Sequence, residues 1–329
     1  MTDSVDFLPR WWLRGQHLQS ILPSLPGRRP FVERRAAPVL AASREYLLDC
    51  GQGVRLQAFH SANSSQDSTA QSTLVVLLHG WEGSAQSLYV LSLAQSLYER
   101  GFDVVRLNLR DHGDTHHLNR DLFHSCRLDE VVGAISAIQS QFVTDRLALA
   151  GFSLGGNFML RVAAEAPRVG LRIHRSIGIS PVLDPATTLD ALEQGAALYR
   201  WYFVRKWTRS LRRKQQAWPG EFDLEELMAS QDLRRMTREL VLSHAGYAQV
   251  EDYFAGYAIT GDRLADLRVP ATLVTALDDP IIPAADLVRV ARPSLLKVIT
   301  TKTGGHCGFF ESFDGPSWID RLVLDELDP

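Results

Sequence analysis

The chain has 329 residues, 45% of them hydrophobic and 22% charged, so it can bury about three quarters of its unfolded surface in an ordinary globular core. Its 35 Lys and Arg nearly balance 38 Asp and Glu, which excludes the overall basic field of a nucleic-acid binder. Cys50, Cys126 and Cys307 are too few for a disulfide framework and fit a reducing compartment, so the expected location is cytoplasmic. Met1 to Arg10 lacks the pattern of a signal peptide, and no apolar run reaches the roughly 20 residues of a membrane span.

Residues 1–40 contain a Pro-, Trp- and Arg-rich stretch, Phe7 to Pro38, that reads as an arm lying on the core. Glu45 to Asp49 and Val54 to Phe59 predict an antiparallel strand pair about the Gly51-Gln52-Gly53 turn, followed by a mobile polar loop from Ser61 to Ser72. Leu74 to Leu78 is the continuous apolar run of a strand buried on both faces. A helix follows through Leu88, Leu91, Ala94 and Leu97, ending at Gly101, and Val104 to Leu107 begins the next strand. Helices at Leu128 to Gln141 and Leu154 to Ala166 then alternate with strands at Arg146 to Ala150 and Ile173 to Ile179. Such alternation predicts an α/β fold with a mostly parallel central sheet flanked by helices. From 184 to 262 the pattern turns helical, which reads as an inserted cap, before strands resume at Ala271 to Ala276 and Leu296 to Thr300. The core is therefore expected in two parts, 41–183 and 263–329.

The chemistry lies at the predicted strand ends. Gly151-Phe-Ser-Leu-Gly155 has the form G-x-S-x-G between an apolar strand and an apolar helix, a turn tight enough to lift the Ser153 hydroxyl clear of the sheet. A serine hydroxyl needs a base near neutral pH, and the base needs an acid to fix its tautomer. Asp278 and Asp279 follow a strand at the sheet edge where ligands bind, and either can serve as that acid. His306, in the glycine loop Gly304-Gly-His-Cys-Gly308 after the last strand, is the candidate base; Cys307 is a rival nucleophile with no separate His-acid pair. The His79-Gly-Trp-Glu-Gly83 loop follows the first core strand, so the Trp81 and Leu154 backbone N–H groups are the expected oxyanion donors. His79 reads as a tether of that loop.

These residues resemble a family. Gly151-Phe-Ser-Leu-Gly-Gly-Asn157, His79-Gly-Trp-Glu-Gly-Ser84 with Tyr89, Asn108-Leu-Arg110, Asp278-Asp-Pro280 and Gly304-Gly-His-Cys-Gly308 are similar to the YheT-like branch of the α/β-hydrolases. Phe7-Leu-Pro9 and Gly15-Gln-His-Leu-Gln-Ser20 extend the resemblance into the arm. It implies an α/β-hydrolase fold and a carboxylester hydrolase, since family members cleave carboxylic esters, some of medium-chain acids or phospholipids, and some pass the acyl group to an alcohol. It also favours Asp279 as the acid, because Asp-x-Ile-x-Pro is its usual setting in such hydrolases, leaving Asp278 to cap the turn. Asp111-His-Gly113 departs from the Arg-Gly-His-Gly of related hydrolases.

The expected reaction is cleavage of short- to medium-chain acyl esters through an acyl-enzyme, with no metal or organic cofactor. An acyltransferase with the same triad and a non-catalytic binding protein on the same fold are the alternatives. His112, His116, His117 and His124, with Asp111, Asp114 and Cys126, match no strong zinc spacing and read as a polar loop by the pocket mouth. In the cap, Phe203, Val204, Trp207 and Leu211 recur at helical spacing opposite Arg205, Lys206, Arg209, Arg212 and Arg213. The expected partner is a small ester with an apolar acyl chain and no nucleic acid, the basic face being either solvated or a point of peripheral membrane contact. Tyr199, Trp201, Tyr202 and Trp218, with Phe309 and Phe310, are candidates to line an acyl pocket or to be ordinary core.

Overall fold

The computed structural model describes residues 2–5, 7–63 and 72–328. Most of the polar loop read between Ser61 and Ser72 therefore lies outside the described residues. The strands are β1 (Thr2–Ser4), β2 (Ser43–Asp49), β3 (Arg55–Ser61), β4 (Thr73–Leu78), β5 (Asp103–Leu107), β6 (Arg146–Phe152), β7 (Arg175–Ile179), β8 (Ala271–Ala276) and β9 (Leu296–Thr301). They form one sheet in the order β1-β9-β8-β7-β6-β4-β5-β3-β2, in which only the β2–β3 and β3–β5 pairings are antiparallel. The expected mostly parallel sheet is present, with β1 added at one edge by parallel pairing to Val298–Thr300.

The uninterrupted apolar run of β4 serves two cores at once. Successive side chains point to opposite faces, so Leu74, Val76 and Leu78 join one buried cluster while Val75 and Leu77 join the other. Each such side chain contributes about 1.5–3 kcal/mol by leaving water. Strand β2, at the other edge, buries only Leu48 fully.

The helices are α1 (Gln16–Ile21), α2 (Arg29–Arg35), α3 (Ala37–Ala41), α4 (Leu88–Glu99), α5 (Leu128–Gln141), α6 (Leu154–Val169), α7 (Pro185–Gln194), α8 (Ala197–Ala217), α9 (Glu225–Ala229), α10 (Leu233–His244), α11 (Val250–Tyr257) and α12 (Trp318–Leu327). Gly101 ends α4 at φ +96°, where its N–H reaches Tyr98 O and that of Phe102 reaches Leu97 O, the paired bonds of a Schellman stop. Helix α6 runs three residues past the expected Ala166, through Pro167, and stops at Gly170 in the left-handed region. Helices α7–α11 fall between β7 and β8, where the alternation of strand and helix breaks off.

The two faces are covered differently. Helices α5, α6 and the α7–α11 block enclose the first cluster; α4, α12 and the N-terminal segment enclose the second. There Phe7 packs against Phe309 and Trp318, with ring centroids at 5.9 and 5.5 Å.

Candidate active site

Ser153 stands between β6 and α6 at φ 53° and ψ −119°, a conformation that costs a residue with a Cβ about 1–3 kcal/mol. The neighbouring glycines make the turn possible. A Cβ on Gly151 would lie 2.3 Å from Gly155 O, and one on Gly155 2.4 Å from His79 O, so the helix start touches both its own strand and the end of β4 through bare backbone. The Ser153 N–H is fixed to Ile179 O at 2.8 Å. Leu154 opens α6, where an amide has no partner further up the helix and the dipole is positive.

The His79–Ser84 loop lies against this turn: a Cβ on Gly80 would stand 3.1 Å from Ser153 Cβ, and the Gly80 N–H is bonded to the Tyr89 hydroxyl at 3.1 Å. Two buried histidines hold the loop. His79 Nε2 accepts the Leu109 N–H at 3.2 Å, so its Nδ1–H donates to Gly80 O at 2.7 Å. His112 Nε2 accepts the Glu82 N–H at 3.1 Å, so its Nδ1–H donates to Arg110 O at 2.7 Å. Burial lowers both pKa values, that of His79 well below 6.5 and that of His112 to about 4, and the neutral tautomers these bonds demand persist at neutral pH. The Asp111-His-Gly113 departure thus supplies a brace for the loop beside Ser153. Trp81 stacks on Phe203 of α8 with ring centroids 5.2 Å apart.

Asp279 and His306 are brought together. Asp279 Oδ1 accepts the N–H groups of Ile281 and Ile282 at 2.8 and 3.0 Å, and Oδ2 accepts from His306 Nδ1 at 2.8 Å. Burial by itself lowers the imidazole pKa, but the charge of Asp279 and the hydrogen bond to it override this and hold it well above 6.5. Asp278 turns the other way and accepts the Gly305 N–H at 2.9 Å, fixing the loop that carries the imidazole. Its pKa is raised, first by burial and also by the charge of Asp279.

The N-terminal segment clamps the same loop. Ser20 Oγ accepts the His306 N–H at 2.8 Å, and the buried Gln19 side chain donates to Leu13 O and Phe310 O and accepts the Phe310 N–H. Gly308 is required there, since its Cβ would come within 2.3 Å of Gln19 O. His17 Nδ1 pairs with the Tyr199 hydroxyl of α8 at 2.9 Å. These contacts fall in the Gly15–Ser20 stretch, whose motif is visible in the sequence but whose partners are not.

Two spaces meet at Ser153. The inner one, about 100 Å³, lies between the sheet edge and α7, α10 and α11, among Leu189, Leu192, Leu240, Phe254, Ile281 and Ile282. The outer one, about 640 Å³, is shared by Ser153 and His306 and is walled by α8 and the N-terminal segment. Tyr199, Trp201 and Tyr202 line the outer space. The acyl-pocket reading of the other aromatics is corrected: Trp218 bonds His116 O through its indole N–H, Phe309 sits in the second core cluster, and Phe310 packs under Arg28. Cys307 lines the outer space with its thiol buried, 3.9 Å from Ile179 O.

Helix α8 is pinned to this site by two lysines. Lys206 Nζ donates to Glu82 O at 2.8 Å, and the buried Lys214 Nζ donates to Asp111 Oδ1 at 2.8 Å and to the Asn119 and Asp121 carbonyls. Around them, His116 pairs with Ser210 at 2.9 Å, and burial lowers His116 and His124 to about 3. Among the described residues, no three His, Cys, Asp or Glu side chains are grouped so that they could hold a metal ion.

A family model described as "alpha/beta hydrolase fold" matches residues 73–313. The chain is 24% identical to the Escherichia coli (strain K12) protein named "Putative esterase YheT" over 99% of its own length and 94% of that protein's. It is 22% identical to a monoacylglycerol lipase of Saccharomyces cerevisiae over 74% of this chain and 56% of that one. The fold is shared with an esterase of Pyrococcus furiosus, at a TM-score of 0.60, 14% identity, and coverage of 90% and 92% of the two chains.

Proposed function

The chain belongs to the α/β-hydrolase fold family, and on that premise we propose that it is a serine carboxylester hydrolase acting through Ser153, His306 and Asp279. The observation that carries this reading is the strained Ser153 at the start of α6, in one cleft with an imidazole whose Nδ1 is already held by a carboxylate. With Nδ1–H given to Asp279, the remaining lone pair is on Nε2, the atom a hydroxyl proton must reach. The similarity to proteins named esterase and monoacylglycerol lipase points to the same reaction class.

The steps follow from the groups present. Ser153 Oγ attacks the ester carbonyl while its proton passes to His306 Nε2, and Asp279 stabilises the imidazolium. The oxyanion is held by the Trp81 and Leu154 N–H groups, each worth about 3 kcal/mol in the transition state. When the bond to the alcohol oxygen breaks, His306 returns the proton to that oxygen. Water then gives a proton to His306, attacks the acyl-serine and releases the carboxylic acid, and Ser153 recovers its proton. Residues 184–262 act as a cap, and residues 1–40 as an arm that holds the base in place.

The inner space is smaller than the ~150 Å³ cavity that accommodates benzene, and its lining is apolar, which favours acyl chains of a few carbons. The test is hydrolysis of p-nitrophenyl esters of graded chain length, with labelling of Ser153 by a fluorophosphonate. Butyrate is expected to be cleaved fastest and Ser153→Ala to remove both turnover and labelling. Turnover that persists in Ser153→Ala overturns the assignment.

A further inference from the structure

Given the esterase reading, the charge distribution of the outer cleft bears on which ester is cleaved. Helix α8 presents Tyr202, Arg205, Lys206 and Arg209 to this space at i, i+3, i+4 and i+7 spacing, one continuous face of the helix. Its opposite face, Val204, Trp207, Leu211 and Lys214, is buried against the body of the protein. Arg29 contributes a fourth cation from the N-terminal segment, partly answered by Glu33 at 2.7 Å. Among the described residues, no Asp or Glu lines the cleft. In a chain whose charges nearly balance overall, four cations lining one cavity, of which only Arg29 has a carboxylate partner among the ion pairs of the described residues, are a local field of predominantly one sign.

The two spaces therefore differ in kind. Among the described residues, no Asp, Glu, Lys or Arg lines the inner one, which suits the acyl half of an ester. The outer one is several times larger and opens on the same Ser153. The cations are also placed to act on a ligand. The Arg205 guanidinium lies over the Trp201 ring, 5.7 Å from its centroid, and Lys206 over Tyr202 at 5.1 Å, which limits the freedom of both side chains. Lys206 is further held by Glu82 O. Arg205 and Arg209 are exposed, with no acidic partner among the ion pairs of the described residues. Guanidinium groups four residues apart on a helix suit a phosphate, which each can bind through two parallel N–H bonds.

We propose that the outer cleft selects esters whose alcohol half carries a phosphate, bound by Arg205 and Arg209 with Lys206 and Arg29 around it, while the acyl half enters the inner space. The leaving group is then a phosphorylated alcohol that takes its proton from His306 and departs into the positive cleft. The phosphate belongs either to a small soluble ester or to a lipid headgroup.

The experiment compares 1-butyrylglycerol with 1-butyrylglycerol 3-phosphate, which differ only in the phosphate. The wild-type protein is expected to favour the phosphorylated ester by about tenfold in kcat/KM, mainly through KM, and to lose that preference as salt is raised. Arg205→Glu with Arg209→Glu should push the ratio below one, and Arg205→Gln with Arg209→Gln should bring it close to one. Arg212→Glu, on the same helix but outside the cleft, should leave it intact. The same comparison with 1-O-hexadecyl-2-butyrylglycerol and its 3-phosphate, carried in vesicles of a diether phosphatidylcholine, separates the sources: a preference in solution assigns a soluble ester, and one seen only in vesicles assigns a headgroup. Equal turnover of both esters in both settings, or a preference that survives the double charge reversal, overturns the proposal and leaves the esterase reading standing. Failure to cleave any of the esters overturns both.

Discussion

Ser20 Oγ receives the backbone N–H of His306 across 286 positions of sequence, at 2.8 Å. Ser20 in turn donates to Gln16 O at 2.7 Å, so the hydroxyl is oriented with its lone pairs toward the imidazole loop. Ser20→Ala removes this acceptor without creating a large void. It is expected to lower kcat about tenfold by loosening the imidazole, with the pH dependence unmoved, because Asp279 still sets the basicity. Ser20→Thr should restore the rate. A Ser20→Ala protein with full kcat would show that the arm does not position the base.

The pH profile is fixed in sign by the state His306 must have. In the proposed mechanism the imidazole accepts a proton from Ser153 only when neutral, and its pKa is held well above 6.5. In steady-state assays kcat/KM should therefore rise with pH along a limb whose midpoint lies above 6.5. Asp279→Asn removes the charge that sustains the shift, so the limb should move to lower pH while kcat falls by about 10⁴. The folded-state pKa also exceeds its unfolded value, so the linked stabilisation is complete below pH 6.5 and is lost as pH rises through the folded value.

Backbone strain at Ser153 predicts a gain in stability with a loss of activity. Replacing it by Gly removes about 1–3 kcal/mol of strain against an entropic cost of about 0.5–1 kcal/mol. Ser153→Gly should therefore melt about 2 °C higher by calorimetry and be inactive. Ser153→Ala keeps the Cβ and should be inactive with no such rise. Equal melting temperatures for the two variants would remove strain from the account.

The buried Lys214–Asp111 pair predicts an asymmetric response. Lys214→Met removes the cation of a buried pair and should cost about 3–5 kcal/mol in denaturant unfolding, because Asp111 must then either stay charged without a partner or take up a proton. Burial already raises Asp111 to about 6 despite the lysine. Adding Asp111→Asn should recover most of the loss. A double variant no more stable than Lys214→Met would mean that the lysine's bonds to Asn119 and Asp121 carry the effect.

The parts of this architecture that sequence reveals are those written in unbroken local patterns. β4 and β8 are apolar at every position because both faces are covered, and α5 keeps its apolar spacing over its whole length. The turn at Ser153 is legible because its glycines have no room for side chains. Partnerships across the chain are another matter. Lys214 lies in register with the apolar stripe of α8 three residues beyond Leu211, yet a reading by residue type ends the stripe at Leu211. The basic face read as solvated or membrane-facing is exposed at Arg205 and Arg209, and both residues also line the outer cleft. β1 has no apolar run to announce it, because its parallel pairing with β9 is made by backbone. Pro167 is an apparent terminus for α6, but its missing N–H costs one bond near the end of the helix and Gly170 provides the stop.

At Gly155 the start of α6 rests on the carbonyls of Leu78 and His79 with no side chain between them. The approach of α6 to the end of β4 is thus set by main-chain contact, while the loop beyond it is fixed by the His79 and His112 side chains. The exposed face of α8 shares no such constraint, whereas the N-terminal segment meets Gly305 and Gly308 through its own backbone. On the proposed assignment, substrate choice can therefore diversify by rewriting the exposed face of α8 while the turn at Ser153 and the clamp on His306 stay as they are.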